Sequence, residues 1–309
     1  MSTKAGALRA DLWMLLASAI WGAAFVAQHR AAEHLDALSI AALRFTAGGL
    51  LLLPIVAVRR RHVRAHSPAG TVLTGGLSAG LVMLVAFLLQ QRGIEAGSTA
   101  SAAGFITGLY VLFVPMLGLL GGMRTHPAVW AGAVFATVGL YLLSMSEDLR
   151  LSTGDALVLA CAAAWAVHVL LIGRFSPRCD AIELAAAQFL VTGAAATLML
   201  PRLPTAEAVA AAWWPMLYLG PVAVGVAFTL QVVGQRIAPP AHAAVILSME
   251  GLFAAVFGAL IGGERLGWGQ YAGCGLMLGG ILLAQWPEFT RRNATAAGER
   301  THGNPGECC

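Results

Sequence analysis

Charged side chains are scarce in this chain: Asp, Glu, Lys and Arg make up 11% of its 309 residues, while 58% of the residues are hydrophobic. Soluble domains carry about 25% charged residues. Because a membrane span needs about 20 apolar residues, ten spans with short connections would use nearly the whole chain. The composition therefore predicts a membrane protein and leaves no segment for a soluble catalytic domain.

Motifs of ATP-driven and metal-dependent proteins are also missing. The chain has no G-x-x-x-x-G-K-[ST] phosphate-binding loop and no H-E-x-x-H zinc motif. Its five cysteines show neither disulfide nor metal-ligand spacing, and no Lys follows Lys4. We therefore expect no ATP hydrolysis, no cofactor, no metal site and no enzyme activity.

The second half of the chain repeats the first. Residues 86–142 align without a gap on 227–283 at an offset of 141, and 16 of those 57 pairs are identical. Upstream the offset is 144, which pairs Asp36 with Asp180 and Trp21 with Trp165. Five spans per repeat would make the second copy enter the bilayer from the opposite side. Inverted repeats are typical of secondary transporters, whose solute site lies between the repeats near the midplane.

The predicted fold is therefore all-α, with two inverted five-helix repeats around a central cavity. We expect a lead at 1–10, repeats at 11–145 and 154–287, and a polar, disordered tail at 288–309. The lead is not expected to be a cleaved signal, because the apolar run after it is long and belongs to the repeat. The apolar runs predict spans at 12–31, 38–58, 70–91, 98–122, 127–145, 154–173, 181–200, 213–234, 241–262 and 268–287.

Basic residues give this arrangement an orientation. With both termini in the cytoplasm, 13 Lys and Arg residues lie in inner segments and five in outer segments, as the positive-inside rule requires. The basic run 59–64 is then expected to contact anionic lipid headgroups, and the net charge of +4 gives no reason to expect nucleic-acid binding. One Lys against 18 Arg is typical of a GC-rich bacterial genome, so we expect a bacterial inner-membrane location.

Ionisable residues inside spans are candidates for function by default. Glu250 falls in the middle of the ninth span, where a carboxyl suits a proton carrier or a ligand for a substrate ammonium group; the alternative is a structural hydrogen bond. His168 lies three residues after Trp165 on the same helix face, so the two side chains could line one cavity wall. The alternative is a structural histidine that hydrogen-bonds a neighbouring helix. Arg44 could pair with a substrate carboxylate or with Glu250, or it could extend to the membrane surface.

Uncharged polar and aromatic residues complete the candidate site. Gln90 and Gln231 occupy equivalent positions in the two repeats, and glutamine can both donate and accept hydrogen bonds, although interhelical bonding also explains such a pair. Trp21, Trp165 and Tyr110 are expected to form an aromatic wall, since they lie within their spans and not at the ends. Five other tryptophans lie near predicted span ends and are expected in the interfacial belt: Trp13, Trp213, Trp214, Trp268 and Trp286.

Four local motifs resemble the drug/metabolite transporter superfamily, in its ten-span branch with two EamA-like repeats. They are Trp21-Gly22 in the first span, Arg44-Phe45 in the second, Gly263-Glu264 after the ninth and a Gly-rich tenth span at 273–280. The second repeat has Gln188 in place of Arg44, and the first has Met123 in place of Glu264. The resemblance implies structural or gating roles for Arg44 and Glu264.

The resemblance also implies a function: secondary export of small organic solutes, amino acids in particular and aromatic ones among them. Multidrug or other metabolite efflux, including purines and cationic drugs, is the alternative, and a channel, a lipid-moving protein or an intramembrane enzyme fits less well. The expected partners are a small-molecule substrate and the lipid bilayer, with the monomer as the functional unit.

Overall fold

A computed structural model describes residues 3–62, 67–98, 100–144, 152–262 and 267–301, and the regular structure in these ranges is entirely helical. A 3-10 turn (Ser176–Arg178) follows α7, and a π-helical stretch (Tyr218–Phe228) joins α10 to α11. The helices are α1 (Thr3–Ala32), α2 (Ala37–His62), α3 (Ala69–Glu95), α4 (Ala100–Gly108), α5 (Tyr110–Leu120), α6 (Pro127–Ser144), α7 (Thr153–Phe175), α8 (Ala181–Met199), α9 (Ala206–Ala211), α10 (Trp213–Leu217), α11 (Thr229–Gly234), α12 (Pro240–Leu247), α13 (Glu250–Gly262) and α14 (Trp268–Thr301).

The protein is a multi-pass membrane protein. Eight stretches of the described chain are long and apolar enough to cross a bilayer, and they correspond to the predicted spans one to four and six to nine. The helices at the fifth and tenth positions are apolar over shorter lengths, Pro127–Gly139 and Tyr271–Ala284. Large apolar side chains are exposed on the outer surface, for example Leu120 and Leu198. A total of ten spans therefore stays a prediction.

Helices that are equivalent in the two repeats lie antiparallel. The carboxyl-terminal end of α2 meets the amino-terminal end of α8 through Arg59 and Asp180. At the other end, Asp36 before α2 and Leu203 after α8 line one cleft. Because α2 and α8 occupy the same place in their repeats, this antiparallel pairing is the relation that an inverted repeat requires.

Small residues allow the helices of the two repeats to approach closely. A Cβ atom on Gly80 of α3 would lie 2.7 Å from the carbonyl oxygen of Gln188 in α8, and one on Gly132 of α6 would lie 2.5 Å from the carbonyl oxygen of Gly280 in α14. No side chain fits at either distance. Packing through small residues is a common way for membrane helices to associate, and here it brings the polar residues of both repeats into one interior.

The two helices predicted as continuous fourth and ninth spans are both interrupted. The first breaks at Leu109, between α4 and α5, and the second at Ser248 and Met249, between α12 and α13. The 141-residue offset pairs Leu109 with Glu250, the residue directly after the second break, so the two breaks lie within one residue of equivalent positions. Hydrogen bonds between residues three apart, as in a 3-10 helix, occur there beside α-helical ones. They run from the Leu112 N–H to the Leu109 carbonyl and from the Gly251 N–H to the Ser248 carbonyl.

The carboxyl-terminal segment differs from its prediction in extent. The helix α14 continues past residue 287 to Thr301, so residues 288–301, which the composition predicts to be disordered, are helical. Extending a helix that is already nucleated costs little for residues such as Arg, Ala and Glu, and these are frequent in this stretch. Residues 302–309 lie outside the described ranges.

Candidate functional site

One interior cavity lies between the two repeats and collects most of the predicted site residues. It is lined by both charged site residues predicted inside spans, by both predicted glutamines and by all three predicted aromatic residues, which are Trp21, Tyr110 and Trp165. The full lining is Trp21, Ala24, Phe25, Gln28, Arg44, Phe45, Phe87, Gln90, Thr107, Tyr110, Trp165, Val169, Phe228, Gln231, Leu247 and Glu250. His168 is the predicted site residue that lies behind this lining, and Glu264 is outside the described residues.

An aromatic cluster forms one wall of the cavity, with Phe228 at its centre. The Phe228 ring lies 4.5 Å from the Trp21 ring and 5.5 Å from the Trp165 ring, the latter nearly parallel at 24°. The Trp21 indole N–H also donates a 3.1 Å hydrogen bond to the Ala223 carbonyl of the π-helical stretch. Such a wall matches a flat or apolar solute group.

Seven of the eight tryptophans have a predicted role, and their exposure differs between the two roles. Trp21 and Trp165 are each 9% exposed and line the cavity. The five tryptophans assigned to the interfacial belt are between 42% and 90% exposed. Among these seven, position within a predicted span separates the buried tryptophans from the exposed ones, and the interfacial role of the exposed five stays a prediction.

Glu250 is the first residue of α13, at the helix break, and its side chain is 5% exposed. Its Oε1 atom has no hydrogen-bond partner within the described part of the chain. The Tyr110 hydroxyl neighbours this carboxyl across the cavity, but it too lacks a hydrogen bond of standard geometry among the described residues. A buried carboxyl with unused acceptor capacity is suited to bind a proton or a cationic group.

Arg44 is the opposite charge in the same cavity. It is 4% exposed, and its guanidinium carbon lies 4.7 Å from the Phe87 ring centre and 5.2 Å from that of Phe45. Since it is buried, Arg44 does not extend to the membrane surface. Among the described residues it forms no ion pair, so the alternative pairing with Glu250 is absent from this conformation.

The symmetric glutamines are both buried in the lining but have different partners. Gln90 donates from Nε2 to the Thr107 hydroxyl at 3.0 Å. Gln231 donates to Gln235 Oε1 at 2.9 Å, and Gln235 in turn donates to the Val169 carbonyl. The Gln231 Oε1 atom has no partner in the described chain and is a hydrogen-bond acceptor available at the cavity.

His168 binds a neighbouring helix and does not face the cavity. Its Nε2 lies 2.9 Å from Gln188 Oε1, and both side chains are fully buried. Its ring meets the Trp165 ring edge-on at 5.4 Å. The spacing rule correctly put His168 and Trp165 on related faces, but it could not identify Gln188 as the partner. His168 therefore reaches the site through Trp165.

Two central residues, Phe228 and Phe87, are missing from the predicted site. As single residues they look like any phenylalanine in an apolar run, which is why residue type gave no signal. The 141-residue offset pairs them with each other, as it pairs Gln90 with Gln231. The presence of the same large side chain at equivalent positions of both repeats was therefore the one signal in the sequence that could have identified these two as site residues.

The space between these walls is small. The volume open to the centres of water-sized molecules is about 40 Å³, and one water needs roughly 10–15 Å³ by this measure. A solute larger than a few waters must therefore be accommodated by movement of the surrounding helices. The two helix breaks supply backbone that can rearrange beside Glu250 and Tyr110.

Comparison with known proteins agrees with this architecture. The sequence model of the EamA-like transporter family matches residues 8–145 and 152–286, one match for each repeat. Relatives include an uncharacterized transporter of Archaeoglobus fulgidus, 27% identical over 89% of this chain and 85% of the relative. The uncharacterized transporter YwfM of Bacillus subtilis is 26% identical over 93% and 97% of the two chains.

Two further similarities concern location and fold. The uncharacterized inner membrane transporter YedA of Escherichia coli is 23% identical over 85% of this chain and 86% of its own. A protein crystal structure superposes with a TM-score of 0.72 at 22% identity, covering 92% of this chain and 98% of that one. At this identity the second similarity concerns the fold alone.

Proposed function

Because the chain belongs to the EamA-like transporter family, we propose that it is a secondary transporter that exports small organic solutes, amino acids in particular, by alternating access. The observation that supports this most strongly is the buried cavity between the repeats, where Arg44 and Glu250 supply opposite charges beside an aromatic wall. An α-amino acid carries the two complementary charges. Aromatic amino acids would also use Trp21, Trp165 and Phe228.

Each predicted site residue within the described ranges has a role in this proposal. Glu250 binds the ammonium group or a proton, and Tyr110 neighbours it. Gln90 and Gln231 offer amide groups from the two repeats, and the Gln231 Oε1 atom has an unused acceptor. His168 supports Trp165 from behind, through its contacts with Trp165 and Gln188.

The energy for transport would come from solute or proton gradients, since the sequence has no ATP-binding loop. We place the protein in a bacterial inner membrane as a monomer with both termini in the cytoplasm, following the distribution of basic residues. Site-directed labelling that puts residues 59–64 and the carboxyl-terminal tail on opposite sides of the membrane would contradict the inverted topology.

The alternative is efflux of cationic drugs or other metabolites. It draws support from the presence of Glu250 in the same cavity as the tryptophan and phenylalanine cluster, because cations bind both carboxylates and aromatic faces. A channel or lipid-moving protein would not need a buried site with two opposite charges. For an intramembrane enzyme, the described residues hold no group of three or more His, Cys, Asp or Glu that could bind a metal ion.

Counterflow in proteoliposomes tests the proposed function. We expect saturable exchange of labelled phenylalanine against internal phenylalanine, and competition by other amino acids. Saturable uptake of a cationic drug without competition by amino acids would favour the alternative, and unsaturable flux would favour a channel. Liposomes with the Glu250→Gln variant test proton coupling: a pH dependence of uptake equal to that of the wild type would exclude Glu250 as the coupling group.

A further inference from the structure

Arg44 is a buried cation for which the described residues provide no counter-ion. It is 4% exposed, its Nε and Nη1 atoms have no hydrogen-bond partner in the described chain, and it belongs to none of the ion pairs found there. A charge buried without a partner is costly. Intramembrane charges that persist at this cost generally serve a ligand or an ion pathway.

The guanidinium is held in place while its Nε and Nη1 atoms stay unused. Phe87 and Phe45 contact it at 4.7 Å and 5.2 Å from their ring centres. These rings belong to a packed cluster, since they lie 5.5 Å from each other in an edge-to-face contact. Aromatic rings attract the cation but accept no conventional hydrogen bond from it, so the donors of Arg44 remain available to the cavity that it lines.

The equivalent position in the second repeat gives an internal comparison. The 144-residue offset pairs Arg44 with Gln188 and Ala24 with His168. Gln188 is neutral and is bound by His168, whereas the residue equivalent to His168 in the first repeat is the small Ala24, which lines the cavity together with Arg44. The second repeat therefore has a neutral, hydrogen-bonded side chain where the first repeat has a charged one that lines the cavity.

The second charge of the cavity, Glu250, limits the class of ligand. Glu250 also has an unpartnered oxygen and does not form an ion pair with Arg44. A solute with a carboxylate and an ammonium group would compensate both charges at once. We propose that Arg44 binds the solute carboxylate and Glu250 its ammonium group, so that the site selects zwitterions. This inference rests on the proposed transport function and assigns its specificity to two residues.

Three probes of one shape separate the two contacts. L-phenylalanine carries both charged groups, phenethylamine lacks the carboxylate, and 3-phenylpropanoate lacks the ammonium group. Binding to the purified full-length protein is measured by calorimetry for the wild type and for Arg44→Gln, Arg44→Lys and Glu250→Gln. Arg44→Gln installs the residue that the second repeat has at this position, so it is the matched replacement.

We expect the wild type to bind phenylalanine more tightly than either single-charge probe. Arg44→Gln should weaken phenylalanine and 3-phenylpropanoate by roughly 10- to 100-fold, the range for a hydrogen bond to a charged group, and leave phenethylamine nearly unchanged. Glu250→Gln should weaken phenylalanine and phenethylamine and spare 3-phenylpropanoate. Arg44→Lys keeps the charge without the planar donors, so its loss should be intermediate.

The outcomes separate the inference from the function. If the wild type binds phenylalanine and Arg44→Gln weakens all three probes equally, or none, the role of Arg44 is wrong while amino-acid binding stands. If phenethylamine binds the wild type more tightly than phenylalanine, the carboxylate contact is wrong and cation efflux is favoured. If no probe binds the wild type, the proposed function fails for aromatic amino acids and the inference fails with it. If gel filtration shows that Arg44→Gln does not fold, Arg44→Lys decides. The inference is supported if this variant binds phenylalanine more weakly than the wild type but binds phenethylamine equally well. It is overturned if the affinities for both probes change by the same factor or not at all.

Discussion

The two ends of the α2–α8 pair use equivalent positions with different chemistry. At one end, here called the Arg59 end, Arg59 contacts Asp180 at 2.6 Å and Arg60 contacts Glu183 at 2.7 Å. The opposite end is here called the His34 end. The 144-residue offset pairs Asp36 with Asp180 and Leu203 with Arg59, so the residues equivalent to the Arg59–Asp180 pair at this end are Leu203 and Asp36. This end is an open cleft of about 680 Å³, lined by His34, Leu35, Asp36, Ser39, Pro201, Arg202, Leu203, Pro204, Thr205 and Ala208.

The equivalence is structural as well as numerical. Asp36 accepts the Ser39 N–H at 2.8 Å at the start of α2, and Asp180 accepts the Ile182 and Glu183 N–H groups at the start of α8. Both aspartates therefore cap a helix, and Asp180 also has an arginine across the repeat boundary. Under the proposed alternating access the two ends would exchange conformations during transport. The ion pairs would then stabilise closure at the Arg59 end, while the described residues of the His34 end form no equivalent pairs across α2 and α8.

The largest expected effect concerns the His168–Gln188 contact, for which the first repeat has Ala24 and Arg44 at the equivalent positions. Replacing His168 by Leu leaves the buried Gln188 amide without its partner, which should lower the free energy of unfolding by about 1–3 kcal/mol and reduce the melting temperature of the purified protein. The His168→Leu, Gln188→Leu double variant removes both polar groups and should recover most of this loss. Val167→Ala, at the exposed neighbouring position, is the control.

A different outcome would revise the description of His168. If His168→Leu leaves the melting temperature unchanged but abolishes phenylalanine binding, His168 contacts the solute directly, as the sequence predicted. In that case the imidazole must turn away from Gln188 during the transport cycle.

The next effect concerns the Arg59 end. The variant Asp180→Asn, Glu183→Gln removes both ion pairs but keeps a side chain that can cap α8. Two partly exposed pairs are worth about 1–2 kcal/mol together, so this end should open roughly tenfold more often. Cys179 beside it is 6% exposed, and its rate of modification by a membrane-impermeant maleimide reports the opening.

The labelling experiment needs a background without other accessible thiols. Cys274, Cys308 and Cys309 are replaced by Ser, while the fully buried Cys161 is kept. Glu33→Gln is the control, because it removes the exposed Arg30–Glu33 pair at the carboxyl-terminal end of α1 and should not change labelling of Cys179. An unchanged rate in the double variant would mean that the ion pairs do not hold this end closed.

A smaller effect is expected from adding a charge at the His34 end. Leu203→Arg places a cation at the position equivalent to Arg59, opposite Asp36. An exposed pair contributes less than about 1 kcal/mol, so counterflow should slow by no more than about fivefold as this end closes more often. Leu203→Gln controls for side-chain size, and Asp36→Asn added to Leu203→Arg should restore the rate. If the combined variant stays slow, the inhibition does not come from pairing with Asp36.

The sequence predicted the helical class, the two repeats and a shared cavity because these depend on apolar runs and on equivalent residues. It did not predict the breaks at Leu109 and at Ser248–Met249, since an apolar run looks the same whether its helix is continuous or interrupted. It singled out Arg44 and Glu250 because charged residues are rare in spans, but it left open whether Arg44 lies in the interior or extends to the membrane surface. Their separation from each other depends on packing across repeats, and no residue pattern encodes that.

The smallest expected effect comes from lowering the pH until the Asp180 carboxylate at the Arg59 end is protonated. Burial raises the pKa of Asp180, but the hydrogen bonds from Arg59 and from the Ile182 and Glu183 N–H groups outweigh burial, so its pKa lies below the usual value. A carboxyl with a lowered pKa stabilises the folded state above its ordinary pKa of about 4 and loses this contribution as the pH falls through the lowered value. The difference in melting temperature between the wild type and Asp180→Asn should therefore be constant from about pH 7 to pH 5 and shrink below about pH 4. A difference that already disappears between pH 7 and pH 5 would show that another group controls this end, because the Asp180 carboxylate stays ionised throughout that interval.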